Sequence, residues 1–274
     1  MILLSQELAS GLERAEIDYM IDRMTAVQER PGNPMGVEMR AFGGATAFYS
    51  KAMPWPQFNT VKGLSADEMD CLDDIIHFYK ERNGTGQFEI IPSKASGELL
   101  QALHDKGWYA SGFHATLFSD TSSVLASLPA SFAPEDIIEV RQLSGEDIDL
   151  YAALHCLGTG LPISGKHHVA ENNIVLMERP GWHFYAAFVQ GVPAGAAVMH
   201  VRGAAASFTF AAVLPEFRRR GAHAALLARR IQDASASHGC RLVVSQAAYA
   251  SASFRNMERC GLRLAYTRAA WKQA

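Results

Sequence analysis

Apolar and polar positions along this chain change period several times, and each change marks an element. In the second half, Ile138–Leu143 (I-E-V-R-Q-L) alternates as a short half-buried strand does. Ser144 then reads as a helix cap, with Glu146 and Asp147 in the first turn and Ile148, Tyr151, Ala152 and His155 at helical spacing. A second helix is predicted over Val169–Glu178, ending before Pro180. Three apolar runs follow, His183–Val189, Ala194–Val201 and Ala206–Val213. Gly191-Val192-Pro193 and Gly203 break between them, which predicts an antiparallel meander. Arg219–Ser237 next places Ala224, Leu227, Ala228, Ile231 and Ala234 at helical spacing and stops at Gly239. A strand over Arg241–Ser245, a short helix over Ser251–Cys260 stopped by Gly261, and a strand over Leu262–Trp271 complete this half.

The first half reads less sharply. Helices are predicted over Ser5–Glu29, Ser65–Arg82 and Ser96–Lys106, and strands over Ala45–Ser50, Gln87–Ile91 and Ser111–Phe118. Leu99–Tyr109 echoes Phe254–Leu262: a helix, a glycine stop, then an apolar residue opening a strand, the mark of a divergent duplication. Between the halves, Ser119–Asp136 is rich in Ser, Ala and Pro, which predicts irregular structure and a boundary near residue 130. Each side is of ordinary domain size.

Composition narrows the class. Of the 274 residues, 49% are hydrophobic and 19% charged, enough apolar content for a large core and against general disorder. A net charge of -3 argues against a nucleic-acid partner. Cys71, Cys156, Cys240 and Cys260 form no C-x-x-C pair, and such sparse use suits a reducing cytoplasm. The N-terminus lacks the basic start of a signal peptide, and no apolar run nears the ~20 residues of a membrane span, so a soluble cytoplasmic protein without a membrane partner is expected. His167-His168 reads as surface rather than metal site, because adjacent histidines point apart and no acid or Cys is spaced to join them. No metal is expected.

One local rule is broken. Arg218-Arg219-Arg220-Gly221 stands where an apolar strand hands over to an alanine-rich helix, and the start of a helix carries partial positive charge. Three cations there make sense beside a strong anion such as a phosphate or diphosphate, which the free N–H groups of a helix start also bind.

With Val213-Leu214-Pro215 before it, this stretch resembles the GNAT superfamily of N-acetyltransferases. So does the order strand, two helices, antiparallel meander, strand–R-x-x-G–helix, strand, helix, strand. Against the family pattern Q/R-x-x-G-x-G/A, Arg218 and Gly221 match, while His223 takes the place of the last small residue. Gly261-Leu262 matches the family's later G-F pair. The resemblance implies a mixed α/β fold (α+β) of two GNAT-like domains, each a mixed, mostly antiparallel sheet flanked by helices. Residues 1–130 would form a degenerate GNAT-like domain and 136–274 an acetyl-CoA-binding catalytic domain. In the first of these, Phe58–Leu64 sits where a phosphate loop would have been, but no R-x-x-G follows, which implies that this half does not bind the diphosphate of CoA.

The resemblance further implies transfer of the acetyl group of acetyl-CoA to a primary amine of a small molecule or peptide. The backbone at Ala211 and Val213 would pair with the pantetheine arm. The N–H groups of Arg219, Arg220, Gly221, Ala222, His223 and Ala224 would cradle the diphosphate, with Arg218 and its neighbours adding charge, and Ser253 and Asn256 would hydrogen-bond the arm. Many relatives carry an acidic tyrosine at the position held here by Met257, which has no proton to give. Tyr249 and Ser253 are the nearest replacements in sequence, and Glu216, His183, Tyr185, His200 or a water chain could act as base. Leu157–His168 reads as a glycine-rich loop over the acceptor cleft. Met257 also keeps a second reading open, a non-catalytic acyl-CoA-binding sensor or regulator. The oligomeric state is left open, a homodimer included.

Overall fold

The computed structural model describes residues 3–53, 55–128 and 137–274. These divide into two compact units. One is Leu4–Thr116 together with Ala265–Ala274, and the other is built on Leu117–Leu264. The boundary expected near residue 130 lies outside the described residues.

The first unit opens with helix α1 (Gln6–Gln28), capped by Ser5, whose hydroxyl accepts from the Leu8 N–H. Strands β1 (Val37–Phe42), β2 (Ala45–Ser50) and β3 (Thr60–Lys62) form an antiparallel meander. A capping box at Ser65 and Glu68 starts a 3-10 turn that runs into helix α2 (Leu72–Lys80). Strand β4 (Gln87–Ile90) then lies parallel to β3, and helix α3 (Gly97–Asp105) leads into strand β5 (Trp108–Asp120).

Two of these strands escape a periodicity reading. In β1 the buried residues are the end ones, Val37 and Phe42, not alternate ones. β3 is only three residues long, all buried. It lies in the stretch that corresponds to a phosphate loop, and at its end Gly63 adopts φ 83°, where a Cβ would stand 2.6 Å from Gly44 O.

The second unit corrects the linker reading. Asp120 accepts from the Ser123 N–H and caps helix α4 (Thr121–Ser127), so the start of that stretch is ordered by a local cap despite its composition. Strand β6 (Ile138–Leu143) and a capping box at Ser144 and Asp147 lead into helix α5 (Ile148–Thr159), and helix α6 (Lys166–Met177) follows. The glycine-rich loop predicted over Leu157–His168 is much shorter than expected. Gly160 in the left-handed conformation ends α5, with the Leu161 N–H bonded back to Cys156 O, and α6 already begins at Lys166. Strands β7 (Trp182–Val189), β8 (Val192–Arg202) and β9 (Ala205–Val213) form the expected meander. Helix α7 (Ala222–Ala236), strand β10 (Leu242–Ala248), helix α8 (Ala252–Arg259) and strand β11 (Arg263–Gln273) close the chain.

The two halves thus repeat one order of elements: meander, helix, strand parallel to the last meander strand, helix, glycine, strand. The glycines that stop α3 and α8, Gly107 and Gly261, both have positive φ, 81° and 90°. The C-terminal part of β11 pairs antiparallel with β4, Ala269 opposite Ile90, and groups with the first unit.

Arg268 of β11 bonds to this unit through its side chain as well. It joins a buried ionic cluster with Glu16 of α1, Glu89 of β4 and Lys62 of β3. Lys62 Nζ lies 2.8 Å from Glu16 and 2.5 Å from Glu89. Burial alone would raise the Glu89 pKa, but Arg268 and Lys62 outweigh it and hold it down at about 2. Phe78, Phe88, Leu99, Leu103 and Trp108 pack together as the apolar core of this unit.

Candidate active site

Strands β9 and β10 run parallel only as far as Phe208 opposite Ser245. Beyond that pair β9 stays bonded to β8, up to Val213 opposite Gly195, and leaves β10. A bulge lies at the fork, where the β8–β9 register shifts between Val198 and His200. Phe208 and Phe210, two residues apart, consequently meet different helices. The Arg230 guanidinium of α7 lies 4.4 Å over the Phe208 ring, whereas Phe210 stacks at 4.2 Å on His155 of α5. Arg230 is buried and donates to the carbonyls of Val198 and Phe210, which flank the bulge, and to Leu226 O. Burial lowers its pKa to about 9.

The connection from β9 to α7 is wound tightly. Arg218 is extended at φ -65°, and Arg219 and Gly221 both adopt left-handed backbone, at φ 64° and 82°. A left-handed arginine is unfavourable by about 1–2 kcal/mol and persists where surrounding structure demands it. These turns delay the helix. It starts at Ala222, not at Arg219 as predicted, so the three arginines precede the first turn rather than occupying it. No side chain caps α7, in contrast to α1, α3 and α8, which serines open. The N–H groups of its first turn therefore have no intrahelical acceptor and no side-chain cap.

These features border a cavity of about 920 Å³. Its walls are Ala211–Val213 of β9, the loop with Phe217, Arg218, Arg219 and Gly221, the first turn of α7, Gly158 and Thr159 at the end of α5, and one face of α8. Four arginines line it, Arg218, Arg219, Arg255 and Arg259, and no Asp or Glu does. Such a space attracts anions. Gly158 allows the α5 wall to approach, since a Cβ there would stand 2.8 Å from Ala212 Cβ.

The cavity brings together ten of the residues singled out in the sequence: Ala211, Val213, Arg218, Arg219, Gly221, Ala222, His223, Ala224, Ser253 and Asn256. Arg220 is not among the lining residues; its guanidinium lies 5.3 Å from the Phe217 ring centre. Tyr249 is 59% exposed, packs on Phe254, and does not line the cavity. Of the candidate bases, Glu216 is exposed, His200 is buried against Trp182, and Tyr185 is buried with its pKa raised by burial and by Asp233. The His183 ring lies 4.2 Å from that of His238, tilted by 36°, and burial with that neighbour lowers its pKa to about 4. None of these four lines the cavity.

His223 occupies the position where the family pattern has a small residue, and its ring joins two helices. Ser253 Oγ lies 3.3 Å from Nε2 and Asn256 Nδ2 lies 3.4 Å from Nδ1. Burial, helped by Arg230, lowers the His223 pKa to about 4. Met257 is buried in the core.

Arg255 and Arg259 of α8, and Cys260 at its C-cap, also line the cavity and belong to no motif. Their signal was available: with Asn256 they recur at i, i+3 and i+4 on a short helix. Burial pushes the Cys260 thiol up to about 11. On α6, Glu171 reaches His167 at 3.2 Å and His168 at 3.8 Å, so an acid is spaced to meet both rings. Among the described residues, no group of three His, Cys, Asp or Glu could hold a metal, and no helix is long and apolar enough to cross a membrane.

The chain is similar in fold to several solved structures. A GCN5-related N-acetyltransferase from Kribbella flavida superimposes with a TM-score of 0.64 at 15% identity, over 92% of this chain and 95% of that one. The chain has the GNAT fold. It is also similar to a tandem GNAT protein from the clavulanic acid biosynthesis pathway, with a TM-score of 0.61 and 15% identity over 93% of each chain. A GCN5-related N-acetyltransferase from Sphaerobacter thermophilus gives 0.60 at 17% identity, over 78% and 71%. No family model and no curated protein matches the sequence. The tandem GNAT likeness covers both units, in agreement with the repeated order of elements.

Proposed function

We propose that the protein is an acetyl-CoA-dependent N-acetyltransferase acting on a primary amine of a small molecule or a peptide. The observation that carries this reading is the cavity itself: four arginines and no carboxylate, set between an uncapped helix start and the free edge of β9. The first-turn N–H groups of α7 with Arg218 and Arg219 suit a diphosphate. The edge of β9 at Ala211–Val213, which β10 has left, offers backbone groups to the amides of a pantetheine arm. Ser253 and Asn256 reach the same space from α8.

The thioester of acetyl-CoA supplies an activated acetyl group: the amine nitrogen attacks its carbonyl carbon, the C–S bond breaks, and one proton leaves nitrogen while one reaches sulfur. No candidate base lines the cavity, which favours water as the carrier of the amine proton. On the thiolate side Ser253 is the hydroxyl at hand, held by His223, while Met257 is buried and has no proton to give.

Met257, with Tyr249 on the surface, also favours a second reading, a sensor that binds acyl-CoA without turnover. Incubation with acetyl-CoA and a panel of amines, followed by free-thiol release, separates the two. Amine-dependent release supports the enzyme, and tight binding without release on any amine supports the sensor.

A further inference from the structure

The cavity holds more positive charge than a diphosphate needs. Arg218 and Arg219 come from the loop, next to the first turn of α7, and together with those N–H groups they already match a group carrying about two negative charges. Arg255 and Arg259 come from α8, a separate element of the lining. They stand one turn apart on α8, and both are exposed, so their guanidinium groups reach the rim of the cavity. Each is anchored through a single nitrogen: Arg255 Nη1 donates to Ala250 O at 2.6 Å, and Arg259 Nη1 donates to Asn256 Oδ1 at 3.1 Å. A guanidinium has five N–H donors, so each keeps a fork of donors beyond this anchor. No carboxylate among the lining residues neutralises either one.

We infer that Arg255 and Arg259 form a second anion subsite that takes a phosphomonoester, and that they make the cavity select 3′-phosphorylated CoA over dephospho-CoA. The inference rests on the CoA reading above and adds a specificity to it. CoA carries its anionic groups in two places, the diphosphate and the ribose 3′-phosphate. A terminal dianion with three equivalent oxygens fits two arginines one helical turn apart, which can engage it from two directions. The rim position suits a group at the end of the ligand remote from the thioester. The arginines take no part in acyl transfer; they position the nucleotide end.

The test compares binding of CoA and dephospho-CoA by titration calorimetry to the wild type, to Arg255→Gln with Arg259→Gln, and to Arg218→Gln with Arg219→Gln. The wild type is expected to prefer CoA by on the order of tenfold or more, as two charge-assisted contacts allow. The α8 pair should lose that preference, with CoA affinity falling to the dephospho-CoA level and dephospho-CoA affinity nearly unchanged. The loop pair should weaken both ligands alike. Arg255→Lys with Arg259→Lys, which keeps the charges and the helix, should restore part of the preference. Equal wild-type affinity for the two ligands, or an α8 variant that weakens both by the same factor, overturns the subsite while leaving the CoA reading intact. A wild type that binds neither ligand overturns the CoA reading itself.

Discussion

Ser253 Oγ lies 3.3 Å from His223 Nε2, tying the start of α8 to the start of α7 across the cavity wall. Asn256 holds the other ring nitrogen. His223→Ala removes both contacts while leaving Ser253 and Asn256 beside a water-accessible space. We expect a loss of only about 1 kcal/mol of stability, the net worth of such hydrogen bonds. CoA affinity should fall a few-fold because two polar groups lose their orientation. Thermal melts and calorimetry check this; unchanged or tighter CoA binding would show that the ring merely fills space.

The same histidine predicts an acid-sensitive fold. The His223 pKa is lowered to about 4, below the ordinary value of 6.5, so the unfolded chain binds the proton more readily than the folded one. Its contribution is complete above pH 6.5 and is lost as pH falls toward 4. His183, also near 4, acts in the same direction. Denaturant midpoints at pH 7 and pH 5 should show wild-type stability falling with acid, and His223→Gln should show a shallower fall. An equal slope in both proteins counts against a ring held neutral in the folded state.

Arg219 predicts a split between stability and binding. Its backbone sits at φ 64°, where glycine is at ease. Arg219→Gly should raise stability by roughly 0.5–1 kcal/mol through relief of that strain, offset in part by added freedom in the unfolded chain. It should also weaken CoA binding in a salt-sensitive way, since one of the four cavity arginines is gone. Chemical denaturation and calorimetry at two salt concentrations read the two effects separately.

How much of this was legible in the sequence depends on what kind of signal each part leaves. The elements of the second half are plain because caps and glycines punctuate them: Ser144, Gly191, Gly203, Gly239, Ser251 and Gly261 stand at the breaks. β3 was missed because three residues carry no period, and α4 because one aspartate, Asp120, outweighs a Ser- and Ala-rich composition. The site was legible as far as Arg218–Gly221, a contiguous motif. The register of α7 was not, because left-handed turns at Arg219 and Gly221 are backbone events that an arginine's side chain does not announce. The α8 arginines and the partnering of His223 depend on two helices meeting, which spacing along one helix cannot reveal.

The buried ionic cluster predicts where the C-terminal residues matter. Lys62→Met should cost about 3–5 kcal/mol, because it leaves Glu16 and Glu89 sharing only Arg268 in a buried site. Deletion of residues 265–274 removes Arg268 and the strand partner of β4, and hydrogen exchange should then rise across β3, β4 and α1. With the Glu89 pKa held down at about 2, the cluster's contribution is complete above pH 4.5 and is lost as pH falls toward 2. Unchanged exchange in β4 after the deletion would contradict this account.

Calorimetric titration of the wild-type protein with CoA at low and moderate salt shows whether the arginine-lined cavity is a CoA site. We expect saturable one-site binding that weakens markedly with added salt and is weakened further by Arg218→Gln with Arg219→Gln, as an arginine-lined diphosphate site requires. Absence of binding at millimolar CoA, or an affinity indifferent to both salt and the loop arginines, would contradict it.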